Sequence, residues 1–82
     1  MTFNPIRANV TFQAHDGPTT VVFEPLGTDF TLQPGASVIL DAPLEEIAEI
    51  KIVIWKSGLS VWLPFPSGAR VLDADGTELD TL

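Results

Sequence analysis

The sequence predicts one all-β domain over residues 1–82, an antiparallel β-sandwich or small barrel of six or seven short strands with a jelly-roll or cupredoxin-like outline. Three observations lead to this prediction. Apolar and β-branched residues occur in short runs, and some of these runs alternate with polar residues as half-buried strands do. Turn-forming Pro and Gly residues separate the runs. The chain contains no internal repeat and no low-complexity segment.

Two turns frame the segment on which this prediction depends most. Pro34-Gly35 is typical of a type II turn, because Pro presets φ at the second turn position and Gly accepts the positive φ that follows. Pro25 and Gly27 indicate a second, weaker turn. Between the two turns, Thr28–Leu32 alternates polar and apolar residues, which predicts a short strand.

The remaining elements are predicted from the same signals. Asp16-Gly17 favours a hairpin turn after the first strand. The segment from Asp41 to Ala48 indicates a turn of helix or an ordered loop that crosses between sheets, with Asp41 as the N-cap. Further strands are expected at Ala8–Ala14, Thr20–Glu24, Ser37–Asp41, Glu49–Trp55, Leu59–Leu63 and Ala69–Asp73, with a short return at Thr77–Leu79 after the Asp75-Gly76 turn.

The strands Glu49–Trp55 and Leu59–Leu63 form the most clearly specified hairpin. A two-residue loop at Ser57-Gly58 would pair Val53 with Trp62. Because side chains alternate along a strand, one hairpin face is then apolar and the other is aromatic. The apolar face, expected in the core, carries Ile50, Ile52, Ile54, Val61 and Leu63, and the opposite face carries Lys51, Val53, Trp55, Ser60 and Trp62.

The aromatic face is the candidate interaction surface, represented by Val53, Trp55, Ser60 and Trp62. Three interpretations stay open from the sequence. The face is a second half of the core beneath Pro64, Phe65 and the segment 41–48, or it binds a second copy of the chain, or it is a platform on which sugars or peptide prolines stack.

The composition excludes several classes of partner. The chain has 4 Lys and Arg residues against 11 Asp and Glu residues, for a formal net charge of −7. We therefore expect no nucleic acid and no membrane partner, since phosphates and anionic lipids bind clustered cations. Residues 1–7 have neither the basic start nor the apolar run of a signal peptide, so a cytoplasmic location is expected.

No cofactor, metal or catalytic residue is predicted. The chain has one histidine and no cysteine, too few ligands for a transition-metal site. His15 beside Asp16 indicates an exposed turn. Asp73 and Asp75 precede Gly76 as in the start of a calcium loop, but a hairpin turn with solvated acids is the expected structure, since the remaining EF-hand ligands are missing.

Glu24, Pro25, Gly27, Pro34 and Gly35 are predicted to serve structural roles. Glu24 ends an apolar run just before Pro25. We expect its carboxylate to accept hydrogen bonds from turn amides or to pair with Arg7 or Arg70.

These turn motifs resemble those of small uncharacterised bacterial proteins, common in actinobacteria, which carry Glu-Pro-Trp-Gly followed by Tyr-x-Leu-x-Pro-Gly. The matching segments are Glu24-Pro25-Leu26-Gly27 and Phe30-Thr31-Leu32-Gln33-Pro34-Gly35, with Trp62 and Asp75-Gly76-Thr77-Glu78-Leu79 further on. Leu26 stands where those proteins have Trp. The resemblance extends from Val10 to Leu79 and implies a shared fold but no activity.

From these observations we expect a non-enzymatic protein that acts by self-association, for example as a homodimer, or by docking to another protein. A small-ligand or carbohydrate-binding module that uses the aromatic face is the alternative. At 82 residues without disulfides, the domain would gain stability from association.

Overall fold

The computed structural model describes residues 6–82, which form two packed four-stranded sheets and one short helix. The all-β prediction is confirmed, and the two separate sheets make a sandwich. Residues 6–82 contain eight strands, so the expected six or seven was too few. The elements are β1 Arg7–Gln13, β2 Thr19–Glu24, β3 Thr28–Leu32, β4 Ser37–Pro43, α1 Leu44–Ile47, β5 Lys51–Trp55, β6 Gly58–Trp62, β7 Arg70–Leu72 and β8 Glu78–Thr81.

Sheet A has the strand order β1-β4-β7-β8, and sheet B has the order β3-β2-β6-β5. All neighbouring strands are antiparallel except β2 and β6, which run parallel. The prediction of a purely antiparallel sandwich is therefore wrong for sheet B. The parallel pair joins strands far apart in sequence, and no local turn signal reports such a pairing.

The core lies between the two sheets and is filled by alternate residues of the strands. Phe12 of β1 and Phe23 of β2 meet edge to face across the sandwich, with ring centroids 6.1 Å apart. Phe30 makes a similar contact with Phe23 at 6.2 Å. Such pairs contribute about 0.5–1.5 kcal/mol beyond burial of their area. The buried cluster comprises Phe12, Ala14, Val21, Phe23, Leu32, Val38, Leu40, Ala42, Val61, Leu63, Ala69 and Val71.

The turn at Pro34-Gly35 forms as predicted. Gly35 has φ +86°, and the Ala36 N–H donates to the Gln33 carbonyl at 2.9 Å, which closes the turn. The Gly35 N–H donates to the carbonyl of Ala14 at 2.9 Å and so holds the turn against the end of β1. The turn carries the chain from sheet B to sheet A.

Two local predictions are wrong because the chain changes sheets. Asp16-Gly17 does not form a hairpin, since β1 and β2 belong to different sheets. Asp41 is not an N-cap but lies within β4, and α1 begins after Pro43. The prediction that this segment crosses between sheets is confirmed, because β4 belongs to sheet A and β5 to sheet B.

The parallel pair β2–β6 depends on a close approach at Gly58. The Thr20 N–H donates to the Ser57 carbonyl at 3.1 Å, and the Leu63 N–H donates to the Glu24 carbonyl at 3.0 Å at the other end. A Cβ atom on Gly58 would collide with the carbonyl oxygen of Thr20. Only glycine fits at this position.

Gly58→Ala is therefore expected to destabilise the fold by more than about 3 kcal/mol, because the clash is with backbone atoms that cannot rotate away. Gly17→Ala is the matched control, since nothing lies within 4 Å of the added methyl group. Urea unfolding of the two variants measures the difference. Equal stability of the two would contradict the parallel pairing.

The buried acid Asp41 joins three strands of sheet A. Its residue is 6% exposed, although it lies on the face of the sheet away from the core. The Nε atoms of Arg7 on β1 and Arg70 on β7 both donate to Asp41 Oδ2, at 3.0 Å and 2.7 Å. Arg70 also contacts Glu78 of β8 at 3.6 Å. This ionic network therefore ties all four strands of sheet A together.

Burial alone raises the pKa of the Asp41 carboxyl, but hydrogen bonds from Arg70 and Arg7 and the charges of both guanidinium groups bring it below the ordinary value of 3.8. A lowered pKa in the folded state means that the stabilisation is present above the unfolded-state pKa and is lost as pH falls through the folded-state pKa. The prediction for Glu24 is wrong in both its forms: Arg7 and Arg70 bind Asp41 instead, and among residues 6–82 no turn amide donates a hydrogen bond to the Glu24 carboxylate.

Asp41→Asn is expected to lower the free energy of unfolding by roughly 2 kcal/mol at pH 7, since the half-exposed arginines lose a charged acceptor. The difference between the variant and the parent should shrink below about pH 4, where Asp41 of the unfolded chain becomes protonated. Urea unfolding across pH measures this, with the exposed Asp29→Asn as control. A difference that is constant with pH would contradict the ionic role.

Candidate functional site: the hairpin of β5 and β6

The β5–β6 hairpin turns at Lys56-Ser57, one residue earlier than predicted. Trp55 pairs with Gly58, Val53 with Ser60, and Lys51 with Trp62. The register is thus shifted by two residues from the predicted pairing of Val53 with Trp62. A shift of two keeps every side chain on its predicted face, because side chains alternate with period two.

The aromatic face lies on the outer side of sheet B and is open to solvent. Val53, Trp55 and Trp62 are 41%, 40% and 43% exposed. Ser60 is partly buried and its Oγ accepts a hydrogen bond from Trp55 Nε1 at 3.3 Å. The interpretation that Pro64, Phe65 and the segment 41–48 cover this face as a second core is therefore wrong.

The two indoles do not form a single platform. Trp55 lies opposite Gly58, which is four residues along β6 from Trp62. At about 3.4 Å per residue, the two attachment points are roughly 14 Å apart. The Trp55 ring lies over Gly58, close to where a Cβ atom would be. One sugar ring cannot contact both indoles at this separation.

The inner side of β5 is also exposed, contrary to prediction. Ile52 and Ile54 were expected in the core, but they are 43% and 79% exposed. Their β6 neighbours on the same face differ: Val61 is buried and Leu59 is partly buried. Strand β5 therefore projects past the region that sheet A covers, so its inner face has no opposing layer.

Strand β5 is at the end of sheet B, and all five of its residues are exposed. Among residues 6–82 its regular hydrogen bonds are to β6 alone, so within this part of the chain its other side presents unpaired main-chain N–H and C=O groups. An apolar strand that is open on both faces and along one edge is uncommon in a monomer, because such an edge pairs readily with another strand. This strand is the most unusual surface feature of residues 6–82.

The other three edge strands carry polar or charged protection. Strand β3 exposes Asp29 and Thr31, and β8 exposes Glu78 and Asp80. Strand β1 exposes Arg7, Asn9, Thr11 and Gln13 on its outer face. Lys51, the first residue, is the only charged residue of β5. The four residues that follow it therefore carry no charge that would oppose pairing with another strand.

Charge is distributed unevenly around this hairpin. The segment from Ile50 to Leu63 contains Lys51 and Lys56 but no acidic residue. The chain as a whole has a formal net charge of −7. The hairpin is therefore the region where electrostatic repulsion of another acidic protein is weakest.

A groove of about 480 Å³ lies beside the tip of the hairpin. Residues 15–19, from the β1–β2 loop and the start of β2, form one wall, and residues 54–59 form the other. The groove extends the exposed surface from Trp55 to His15. A second cleft, beside Leu26 and Phe65, leaves about 10 Å³, the space of one water molecule.

The other chemically interesting residues lie apart from the hairpin surface. Asp73 Oδ1 accepts hydrogen bonds at 2.9 Å from the N–H groups of Asp75 and Thr77, and Gly76 has φ +87°, so this segment is the expected tight turn. His15 contacts Asp16 at 3.4 Å, and both side chains are almost fully exposed. No group of three potential metal ligands is found among residues 6–82.

No helix in the described part of the chain has the length and apolar character needed to cross a membrane. In comparisons with known proteins, no family model, no curated protein and no solved structure matches this chain. The resemblance to the small bacterial proteins stays a prediction, and an inference about function depends on the geometry of the hairpin.

Ile54→Thr is expected to change stability by less than about 0.5 kcal/mol in dilute solution, because this side chain is largely solvated before and after the change. Val61→Thr, on the same face one strand away, should cost about 1–3 kcal/mol, since it places a hydroxyl group in the core. Urea unfolding at low protein concentration compares them. Similar losses for both would show that β5 is covered.

Proposed function

We propose that this protein is a non-enzymatic binding module that acts by self-association or by docking to another protein through the β5–β6 hairpin. The observation that supports this proposal is strand β5, which exposes apolar side chains on both faces and an open main-chain edge. Exposed apolar surface of this kind marks interaction sites in soluble proteins. Val53, Trp55 and Trp62 supply the aromatic and aliphatic contacts that dominate binding energy at interfaces.

The fold and the surface charge support the remaining parts of the proposal. Jelly rolls are antiparallel, so the parallel β2–β6 pair favours a cupredoxin-like outline. The acidic surface favours a protein partner over nucleic acid or an anionic membrane. A cytoplasmic location and membership of the small bacterial group are consistent with this reading of the sequence.

Carbohydrate binding is the second candidate, favoured by the exposure of both indoles. With attachment points roughly 14 Å apart, Trp55 and Trp62 would stack on separate sugar rings of one chain. Tryptophan emission that shifts on addition of oligosaccharides but not of monosaccharides would support this function.

The molar mass in solution, measured by light scattering across a dilution series, tests the main proposal. We expect a concentration-dependent dimer. Trp62→Ser should raise the dimer dissociation constant roughly thirtyfold, because loss of a central tryptophan costs about 2 kcal/mol. Leu79→Ser is the control, since Leu79 is 45% exposed and belongs to β8. A monomer at every concentration would exclude self-association and leave docking to another protein.

A further inference from the structure

We propose that β5 pairs antiparallel with β5 of a second copy about a two-fold axis at Val53, so that two copies of sheet B become one continuous eight-stranded sheet. The inference rests on the proposed function and specifies its partner, the strand that makes the contact and the register. Association through the hairpin faces alone would need only side-chain contacts. The proposed arrangement also forms main-chain hydrogen bonds between the two copies.

The hydrogen bonds of β6 determine which main-chain groups of β5 remain free to pair with another strand. The Leu63 N–H donates to Glu24, and the Ser57 carbonyl accepts from Thr20, so odd-numbered residues of β6 point their main chain toward β2. Even-numbered residues of β6 therefore point toward β5, where they pair with Lys51, Val53 and Trp55. The main-chain groups of Ile52 and Ile54 are left to face the open edge.

Because only Ile52 and Ile54 of β5 direct main-chain groups to the open edge, a second strand can adopt few registers. In an antiparallel pair, residues that exchange hydrogen bonds lie directly opposite one another. Pairing Ile52 with Ile54 of the second copy satisfies both available positions in each chain. That register also overlaps all five residues of β5 and places Val53 opposite Val53 of the second copy.

The side chains are complementary in the same register. On the outer face, Lys51 lies opposite Trp55 of the second copy and beside Trp62 of its own chain. The lysine stem and ammonium group thus pack between two indoles, a favourable cation–π arrangement. On the inner face, Ile52 and Ile54 of the two copies cover one another, which removes from water the two side chains that the core leaves exposed.

The position of Lys51 favours the antiparallel direction. Lys51 is the first residue of β5 and its only charged residue. In the antiparallel register each Lys51 lies opposite Trp55 of the other copy, whereas in-register parallel pairing would bring the two like charges together. A two-fold contact also uses both β5 edges at once, so assembly ends at a dimer.

A single introduced cysteine tests the register, because the chain has no native cysteine. Val53→Cys should give a disulfide-linked dimer on mild oxidation, since residues facing each other at a non-hydrogen-bonded position have Cα atoms about 4.5 Å apart. Ser60→Cys is the control. Ser60 lies on β6, one strand away from the contact in each copy. The two Ser60 positions are therefore about 14 Å apart, and the introduced cysteines should remain unlinked.

Proline substitution tests the main-chain contact. Ile54→Pro removes an N–H group that faces the open edge, so the monomer should fold while the dimer is lost. Thr31→Pro is the matched control on β3, the opposite edge of sheet B, and should leave the dimer intact. Circular dichroism checks that each variant is folded. If Ile54→Pro does not fold, the cysteine pair still decides the register.

A dimer that resists Ile54→Pro and does not link through Val53→Cys would overturn edge pairing while leaving the proposed hairpin surface in place. A chain that is monomeric at every concentration would overturn both this inference and self-association.

Discussion

The parallel pairing of β2 with β6 is the contact on which the arrangement of sheet B depends. It brings together strands from the two halves of the chain, and it requires Gly58 because the carbonyl of Thr20 occupies the space of a side chain. Once β6 lies beside β2, the tight turn at Lys56-Ser57 leaves β5 no position except the edge. The exposed surface on β5 is therefore a consequence of how the interior of the sheet is built.

Sheet A is held together on its outer face by charge. Asp41 accepts hydrogen bonds from Arg7 and Arg70, and its residue is buried. Arg7 also donates to the carbonyl of Gly68 at 2.9 Å, while Glu46 accepts from the Gly68 N–H. One arginine thus links the strands of sheet A to the β6–β7 loop. The two basic residues outside the hairpin are both used structurally.

Local chemistry allowed much of the fold and part of the site to be predicted from sequence. Pro34-Gly35 specifies its own turn, and strand alternation assigned Trp55 and Trp62 to one hairpin face correctly. Exposure was harder to predict, because whether Ile54 is buried depends on which strand lies across the sandwich. The acid within the apolar run Val38–Ala42 was a usable signal for a paired buried charge, since an unpaired carboxylate there would be costly.

The long sequence separation within the β2–β6 pair also affects the order in which the structure forms. The β5–β6 hairpin joins neighbouring residues through a two-residue turn and can close early, whereas docking of β6 onto β2 must wait for a large loop to close. During that interval the hairpin exposes both apolar faces and two open edges. The net negative charge of the chain disfavours close contact between molecules and so reduces the tendency to aggregate during that interval.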